Sequence, residues 1–397
     1  MAASHESDSD EFSDNDFIDD VGGFDLVELN ADAELEFREL FGDSDDDDDD
    51  FAGFMEYFPP DFSMWVWKKD YDGGRDRKEF VSETGPVRVD LPEDRRNSIG
   101  FFQLFYSDDV FEQITSATND NANNKRTRDP DNNKGEWHDV TVEEMKAFYG
   151  VLLYMDVVRL DRDEMYWHSG SSYTWLKFPI SEVFCRTRFV QIKRYLHFND
   201  DTPVPGDKLF KVRYILDTMR TAFQSHYRLH KQVSVDEAMV PFKGRLSIKQ
   251  YMKDKPTKFG VKVWVLADSV TGYCWNFDVY AGKYGTEIDR KLGLAGQVVI
   301  KLCENIMNKG HVIFTDNFYT SGTLGDYLLQ KDTYLCGTAR TNRKGYPTVD
   351  LPSGKAANRL QRGTIDWRLV GTSLQRCGKT TSLFSTSARH TLPRKAV

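Results

Sequence analysis

The sequence predicts a fold in the α+β to α/β range, with a disordered acidic N-terminal tail, a mostly helical region, and then a mixed sheet flanked by helices. Three observations predict it. Residues 1–50 hold 21 acidic residues against one basic residue, Arg38. Apolar residues recur at helical spacing from about residue 98 to residue 231. Short runs rich in β-branched and aromatic residues begin near residue 232.

The net charge of −11 is an average over two unlike parts of the 397-residue chain. Residues 1–50 contribute −20, so residues 51–397 carry +9 and are basic enough to attract a polyanion. An unbroken acidic run, Asp45 to Asp50, ends the tail and repels itself. We expect residues 1–58 to be a disordered solubilising tail. Its phenylalanines leave open a second role, in which it binds proteins or covers the basic body.

The cysteines and the hydropathy exclude several classes of protein. Five cysteines are scattered without a Cys-x-x-Cys pair, which excludes a disulfide framework and a zinc finger within this chain. No apolar run approaches the roughly 18 residues needed to span a bilayer, and the acidic N-terminus differs from a basic targeting peptide. We therefore expect a soluble intracellular protein with no membrane partner.

The helical region follows a partly ordered lead-in, which we expect over residues 59–97. A helix is predicted over residues 101–118, with a polar loop at 119–134. At Thr141 the pattern Thr-x-x-Glu predicts a helix start, in which the threonine caps free N–H groups and Glu144 bonds back. Further helices are predicted over residues 180–196 and 209–230.

The second half changes to a period of two. Strands are predicted at 233–240, 260–268 and 273–280, then a helix at 292–308, a strand at 311–316, a helix at 321–330 and a strand at 333–338. This β-β-β-α-β-α-β order is that of the ribonuclease H-like architecture up to its last helix.

Two aspartates stand where such a sheet could hold Mg²⁺. In the first strand, alternation places Asp236 opposite the apolar pair Val233 and Val235, and turns Glu237 to the other face. Asp316 ends the fourth strand, which lies beside the first in this order. Carboxylates suit Mg²⁺, so Asp236 and Asp316 are the candidate metal ligands and catalytic residues. Asp268, before Thr271-Gly272, is read as a turn residue.

Basic residues cluster after Asp236 with interleaved aromatic residues, as expected of a surface that contacts DNA phosphates. A plain solvated face is the alternative. A second basic set follows the last predicted strand. The candidate DNA-binding residues are Lys243, Arg245, Lys249, Lys253, Lys255, Lys258, Lys262, Arg340, Arg343 and Lys344.

Four segments in order resemble piggyBac-type transposases. They are VDEAMVPFKGR at 235–245, YMKDKPTKFG at 251–260, TDNFYTS at 315–321 and GTARTNRKG at 337–345. The resemblance implies a dimerisation and DNA-binding region at 98–231, a ribonuclease H-like catalytic domain at 232–339 and the start of an insertion at 340–371. It makes Asp236 and Asp316 the first and second catalytic aspartates. It also implies Mg²⁺, cleavage and transfer of transposon-end DNA at TTAA targets, a homodimer and a nuclear location.

The chain departs from that family pattern after residue 371. The family's third aspartate and its cysteine-rich C-terminal module are not found, so we expect an incomplete catalytic domain that does not transpose. A frameshift or gene-model error before Cys377 is our hypothesis for this departure, with residues 372–397 an unstructured tail. The alternative function is a domesticated DNA-binding or chromatin-associated protein without catalysis.

Overall fold

The computed structural model describes most of the chain from residue 78 to residue 343, together with short C-terminal segments. The described residues are 66, 68, 78–89, 91–130, 135–167, 178–199, 204–253, 257–282, 292–343, 346–347, 351, 359, 361, 365–370, 373–378 and 384–386. The acidic tail, Lys255 and Lys344 lie outside them. No helix within these ranges is long and apolar enough to cross a bilayer.

The first half is helical, as its apolar spacing predicts, but the helices predicted over 101–118 and 180–196 are each divided in two, and the one predicted over 209–230 ends at Ser225. The helices are α1 (Ser98–Gln103), α2 (Asp108–Arg128), α3 (Val142–Val157), α4 (Ile180–Val183), α5 (Arg186–Tyr195) and α6 (Arg213–Ser225). Short 3-10 turns lie at Glu93–Arg95, Asp163–Trp167 and Phe210–Val212. Ile114, Met145, Phe148, Phe189 and Ile192 are almost fully buried between α2, α3 and α5. The helical region therefore has a hydrophobic core of its own.

Helix α2 is longer than its sequence predicts. The polar loop expected from residue 119 is wrong up to residue 128, where the helix ends. Asn121 is buried and its amide donates to the Tyr195 carbonyl oxygen at 2.8 Å, while Asn119 exchanges two hydrogen bonds with the Val140 backbone. These asparagines bind neighbouring segments, so tertiary hydrogen bonds extend the helix through a polar stretch.

The start of α3 confirms one half of the predicted cap and corrects the other. The Thr141 hydroxyl accepts a hydrogen bond from the Glu144 backbone N–H at 3.2 Å. The Glu144 carboxylate does not bond back, since it accepts both Nε and Nη2 of Arg188 at 2.6 and 2.7 Å. Burial raises the pKa of Glu144, but the Arg188 guanidinium outweighs burial and holds that pKa below its usual range. The glutamate thus ties α3 to α5.

The second half contains the sheet. Its strands are β3 (Gln232–Pro241), β4 (Lys249–Tyr251), β5 (Phe259–Asp268), β6 (Cys274–Val279), β7 (Val312–Thr315), β8 (Tyr334–Gly337), β9 (Ile365–Val370), β10 (Ser373–Gly378) and β11 (Phe384–Thr386). The earlier strands β1 (Gly85–Pro86) and β2 (Tyr227–Arg228) form a separate antiparallel pair. The sheet order is β4-β5-β3-β7-β8-β11-β10-β9, and β6 pairs with β5.

Strand directions follow the predicted element order. Strands β3, β5 and β6 form an antiparallel meander, whereas β3, β7 and β8 run parallel. Helix α7 (Gly293–Cys303) connects β6 to β7, and helix α8 (Gly322–Gln330) is the crossover between the parallel strands β7 and β8. Burial alternates along β5, so Trp264 and Leu266 enter the main core while Val263 and Val265 face the other side.

The last three strands correct one expectation. Residues 372–397 were expected to be unstructured, yet β10 pairs with β9 and β11 pairs with the edge of β8, all antiparallel. That expectation is therefore wrong for residues 373–378 and 384–386. The frameshift hypothesis itself remains a prediction, which sequencing the transcript across Cys377 tests.

Asp268 closes the turn after β5, as its sequence context predicts. It is fully buried, and its carboxylate accepts hydrogen bonds from the backbone N–H groups of His230, Val270 and Thr271 at 2.7–3.0 Å. The His230 ring nitrogen Nδ1 lies 2.9 Å from the same carboxylate. Asp268 pairs with Val233 across the sheet, so it lies three residues along β3 from Asp236 and has a structural role.

Candidate functional site

Two parallel strands bring the candidate metal ligands together. Strands β3 and β7 are hydrogen-bonded neighbours, and Val235 is the register partner of Thr315. Asp236, in the middle of β3, and Asp316, directly after β7, are the next residue on each side, so both lie where the pairing of β3 with β7 ends. The prediction that these strands lie side by side is confirmed. Asp316 therefore lies at the carboxyl end of β7, which is where open α/β sheets bind ligands.

Asp236 lies on the exposed face of β3, whereas Glu237 faces the side of the core residue Trp264, its register partner. The Glu237 backbone N–H donates to an Asp236 carboxylate oxygen at 2.8 Å. Partial burial raises the pKa of Asp236, and the nearby negative charges of Glu237 and Asp316 raise it further. A bound cation would offset the repulsion between these negative charges.

Asp316 begins a tight turn that fixes its carboxylate. One carboxylate oxygen accepts the Phe318 backbone N–H at 2.9 Å. The Asp316 carbonyl oxygen accepts the Thr320 hydroxyl at 2.6 Å and the Thr320 backbone N–H at 3.1 Å. The Thr320 hydroxyl also lies 2.7 Å from that of Thr315. A chain of hydroxyl hydrogen bonds therefore sets where Asp316 leaves the strand.

Tyr319 is a core residue whose phenol lies near the acidic side chains. It is 1% exposed, and burial first, followed by the charges of Glu237, Asp236 and Asp316, raises the pKa of its phenol. The ring therefore stays neutral beside three acids. Sequence reasoning did not single out Tyr319 or Thr320, although both stand in the segment TDNFYTS on which the family resemblance was based.

Arg343, which the sequence analysis assigns to DNA binding, contacts the turn that carries Asp316. Its guanidinium donates to the Phe318 carbonyl oxygen at 2.9 Å and so anchors the turn that carries Asp316. Its side chain is partly buried. From this contact we expect Arg343 to position the turn rather than to bind phosphate.

Arg343→Met is expected to loosen that turn by removing its hydrogen bond to Phe318, at a cost of about 1 kcal/mol in the free energy of unfolding. Faster amide hydrogen exchange at Phe318 and Thr320, with no change in the salt dependence of DNA binding, would confirm the positioning role. A shallower salt dependence without faster exchange would instead show that Arg343 contacts phosphate. Exposed Arg340→Met serves as the matched control, since it is expected to change the salt dependence alone.

The remaining basic candidates divide by exposure. Lys262 is 6% exposed and lies on the core side of β5, with its ammonium nitrogen 5.4 Å from the Phe318 ring centre and 5.8 Å from that of Trp264. Alternation along β5 turns it inward, so we leave it out of any DNA-contacting surface. The exposed candidates are Lys243, Arg245, Lys253, Lys258 and Arg340, and Lys249 is partly exposed.

The two aspartates suit a divalent cation, although they do not complete a site alone. Their carboxylates supply the oxygen ligands that Mg²⁺ prefers, at the point where the pairing of β3 with β7 ends. Among the described residues, no group of three or more His, Cys, Asp or Glu side chains is arranged to hold a metal ion. A third ligand would have to come from residues outside the described ranges, from DNA or from water.

Known proteins are similar in sequence to most of this chain. A family model described as Transposase IS4 matches residues 97–392. Human PiggyBac transposable element-derived protein 2 is 30% identical over 312 residues, which are 77% of this chain and 49% of that protein. Human PiggyBac transposable element-derived protein 5 is 30% identical over 285 residues, 68% of this chain and 52% of that protein. The chain thus spans about half the length of these curated relatives.

A solved structure agrees with the sequence relatives. A piggyBac transposase, determined by cryo-EM in a synaptic complex with hairpin DNA, superimposes with a TM-score of 0.66 at 25% identity. The match covers 79% of this chain and 65% of that one. The family model, the curated relatives and this structure agree with the four sequence segments, and the chain belongs to the piggyBac transposase family.

Proposed function

We propose that this chain binds double-stranded DNA and that Asp236 and Asp316 form a Mg²⁺ site inherited from a transposase that cleaves and joins DNA at TTAA sequences. The observation that carries the proposal is the placement of both aspartates one residue beyond the last pair of the parallel ladder between β3 and β7. When bound, Mg²⁺ in such a site stabilises the charge that develops during displacement at phosphorus. The chain's own residues position two carboxylates for that ion.

The sheet supports a ribonuclease H-like assignment for residues 232–339. The antiparallel meander β3-β5-β6 is followed by the parallel strands β7 and β8, added on the far side of β3. This order and these directions are those expected of that architecture.

We further propose that this chain does not cleave DNA by itself, since the described residues offer two acidic ligands and no third. DNA binding without catalysis is then the activity that remains, as in the chromatin-associated alternative. The exposed basic residues beyond Asp236 supply phosphate contacts that do not depend on sequence. A DNA partner implies a nuclear location. By family resemblance the protein would also form a homodimer, and the acidic tail would bind protein partners.

Metal binding tests the carboxylate pair directly. In a Mn²⁺ titration of the full chain, followed by the EPR signal of the free ion, Asp236→Asn is expected to weaken binding at least about tenfold, because one of two charged ligands becomes neutral. Asp156→Asn is the matched control. Asp156 lies in the last turn of α3, and its exposed carboxylate pairs with Arg159, which follows the helix. Without metal, Asp236→Asn should unfold at the same or a higher temperature, because it removes a charge that Glu237 and Asp316 repel.

The second arm of this experiment measures DNA directly. Duplexes with and without TTAA are expected to bind in a strongly salt-dependent manner, and to stay intact with Mg²⁺. Equal Mn²⁺ affinity in wild type and Asp236→Asn would contradict the metal site. Metal-dependent nicking that Asp236→Asn abolishes would show an active nuclease and overturn the proposal of lost catalysis.

A further inference from the structure

The tip of the sheet beyond Asp236 carries a row of aromatic side chains that the metal site does not use. The ladder between β3 and β5 continues past Pro241, since the Phe242 backbone N–H donates to the Phe259 carbonyl oxygen at 3.3 Å. On the other edge of β5, Tyr251 of β4 is the register partner of Phe259. Residues opposite one another on neighbouring strands share a face. We call Phe242, Phe259 and Tyr251 the aromatic row.

The aromatic row is open to solvent. Phe242 and Phe259 are each 39% exposed, Val240 on the same face of β3 is 52% exposed, and Leu246 in the segment after Phe242 is 42% exposed. The Tyr251 and Phe259 ring centres are 4.8 Å apart at an interplanar angle of 45°. Several large apolar side chains grouped in one exposed place indicate a binding surface, whereas scattered ones would not.

The charge around the row indicates what binds there. Residues 238–253 contain four basic residues and no Asp or Glu. The Lys249 ammonium donates to the Gly244 carbonyl oxygen at 2.9 Å and lies 5.8 Å from the Phe259 ring centre, which holds a positive charge at the row. Lys258 immediately precedes Phe259 and is exposed. Aromatic rings interleaved with cations suit unpaired nucleotides, whose bases stack while their phosphates contact the cations.

The row and the carboxylate site share one face of the sheet. Alternation along β3 places Asp236, Val240 and Phe242 on that face, with Val261 and Phe259 as the neighbours on β5. Phe242 lies six positions after Asp236, which is about 20 Å along the strand at about 3.3 Å per residue. A single nucleic-acid strand lying along this face therefore reaches from the aromatic row to the two aspartates.

We propose that the aromatic row binds unpaired bases of single-stranded DNA. The inference rests on the proposed DNA binding and adds a second form of the substrate to it. Duplex DNA contacts the basic residues alone, because paired bases keep their faces stacked within the helix. Single-stranded DNA gains the stacking contribution in addition.

Ring-to-aliphatic substitution tests this, because leucine keeps the apolar volume and loses the planar ring. By fluorescence anisotropy with the full chain, Phe242→Leu and Phe259→Leu should each raise the Kd for an oligothymidylate of about 15 nucleotides roughly 5- to 50-fold. The Kd for a duplex of equal length should change less than about twofold. Phe242→Trp should keep the affinity for the single strand. Phe101→Leu, at an exposed position on α1, is the matched control.

Three results would overturn the inference. Equal weakening of single-stranded and duplex binding, or none, would show that the rings do not stack on bases. A change in oligomeric state of Phe242→Leu by sedimentation would assign the row to a contact between two copies. Removal of residues 1–50 that tightens both DNA forms and abolishes the Phe242→Leu effect would assign the row to the acidic tail. Absence of duplex binding by wild type would instead contradict the proposed function.

Discussion

Asp268→Ala is expected to lower the free energy of unfolding by about 3–5 kcal/mol, measured by urea denaturation. The carboxylate is fully buried and accepts three backbone N–H groups, those of His230, Val270 and Thr271. Alanine leaves all three N–H donors without an acceptor at a buried position. Asp217→Ala, which removes an exposed carboxylate paired with Arg220 on α6, is the control and should cost less than about 1 kcal/mol.

The pH dependence of this effect has a defined sign. Burial raises the pKa of Asp268, but the hydrogen bonds from His230, Thr271 and Val270 outweigh burial and set that pKa below its ordinary value. The unfolded chain therefore binds a proton more readily than the folded protein, and ionised Asp268 stabilises the fold. The stability excess of wild type over Asp268→Asn should be largest above about pH 5 and shrink as pH falls below about 4. A constant excess across this range would contradict the ionised carboxylate.

The sequence predicts the sheet well because alternation and turn residues are local signals. All seven elements predicted between residues 233 and 338 are present, within a few residues at their ends. Strand β4, at Lys249–Tyr251, was missed because three residues carry no readable period. The extension of α2 was missed for another reason. Asn121 makes its hydrogen bond with Tyr195, 74 residues away, and no local pattern contains that partner.

In the candidate site, too, some features follow from local sequence signals and others depend on tertiary packing. The proximity of Asp236 and Asp316 follows from strand order, since each is the residue after the last pair of the parallel β3–β7 ladder. Alternation along β5 predicts which face of the sheet Lys262 takes, but only the packing shows that the core covers Lys262 there. Arg343 shows the same limit, because a basic residue near a motif contacts either phosphate or a carbonyl oxygen. Its bond to Phe318 could not be predicted from the sequence.

Gly337→Ala is expected to be the most disruptive single-methyl change near the site. Gly337 is the register partner of Thr315 on the neighbouring strand. A Cβ atom at position 337 would lie 2.3 Å from the Thr315 carbonyl oxygen and 2.3 Å from the Thr320 hydroxyl. Such a Cβ cannot be accommodated without moving strand β7 or the hydroxyl pair that holds Asp316. We expect a loss of about 2–3 kcal/mol in the free energy of unfolding, because overpacking forces backbone shifts.

The position of the clash separates this effect from ordinary destabilisation. Since the Thr320 hydroxyl also donates to the Asp316 carbonyl oxygen, Gly337→Ala should weaken Mn²⁺ binding even at temperatures where the variant remains folded. Gly150→Ala is the matched control, because no atom lies within 4 Å of its Cβ position on α3 and alanine should stabilise the helix by about 0.5–1 kcal/mol. A folded Gly337→Ala protein with wild-type Mn²⁺ affinity would contradict the inference that the Thr315–Thr320 hydroxyl pair positions Asp316.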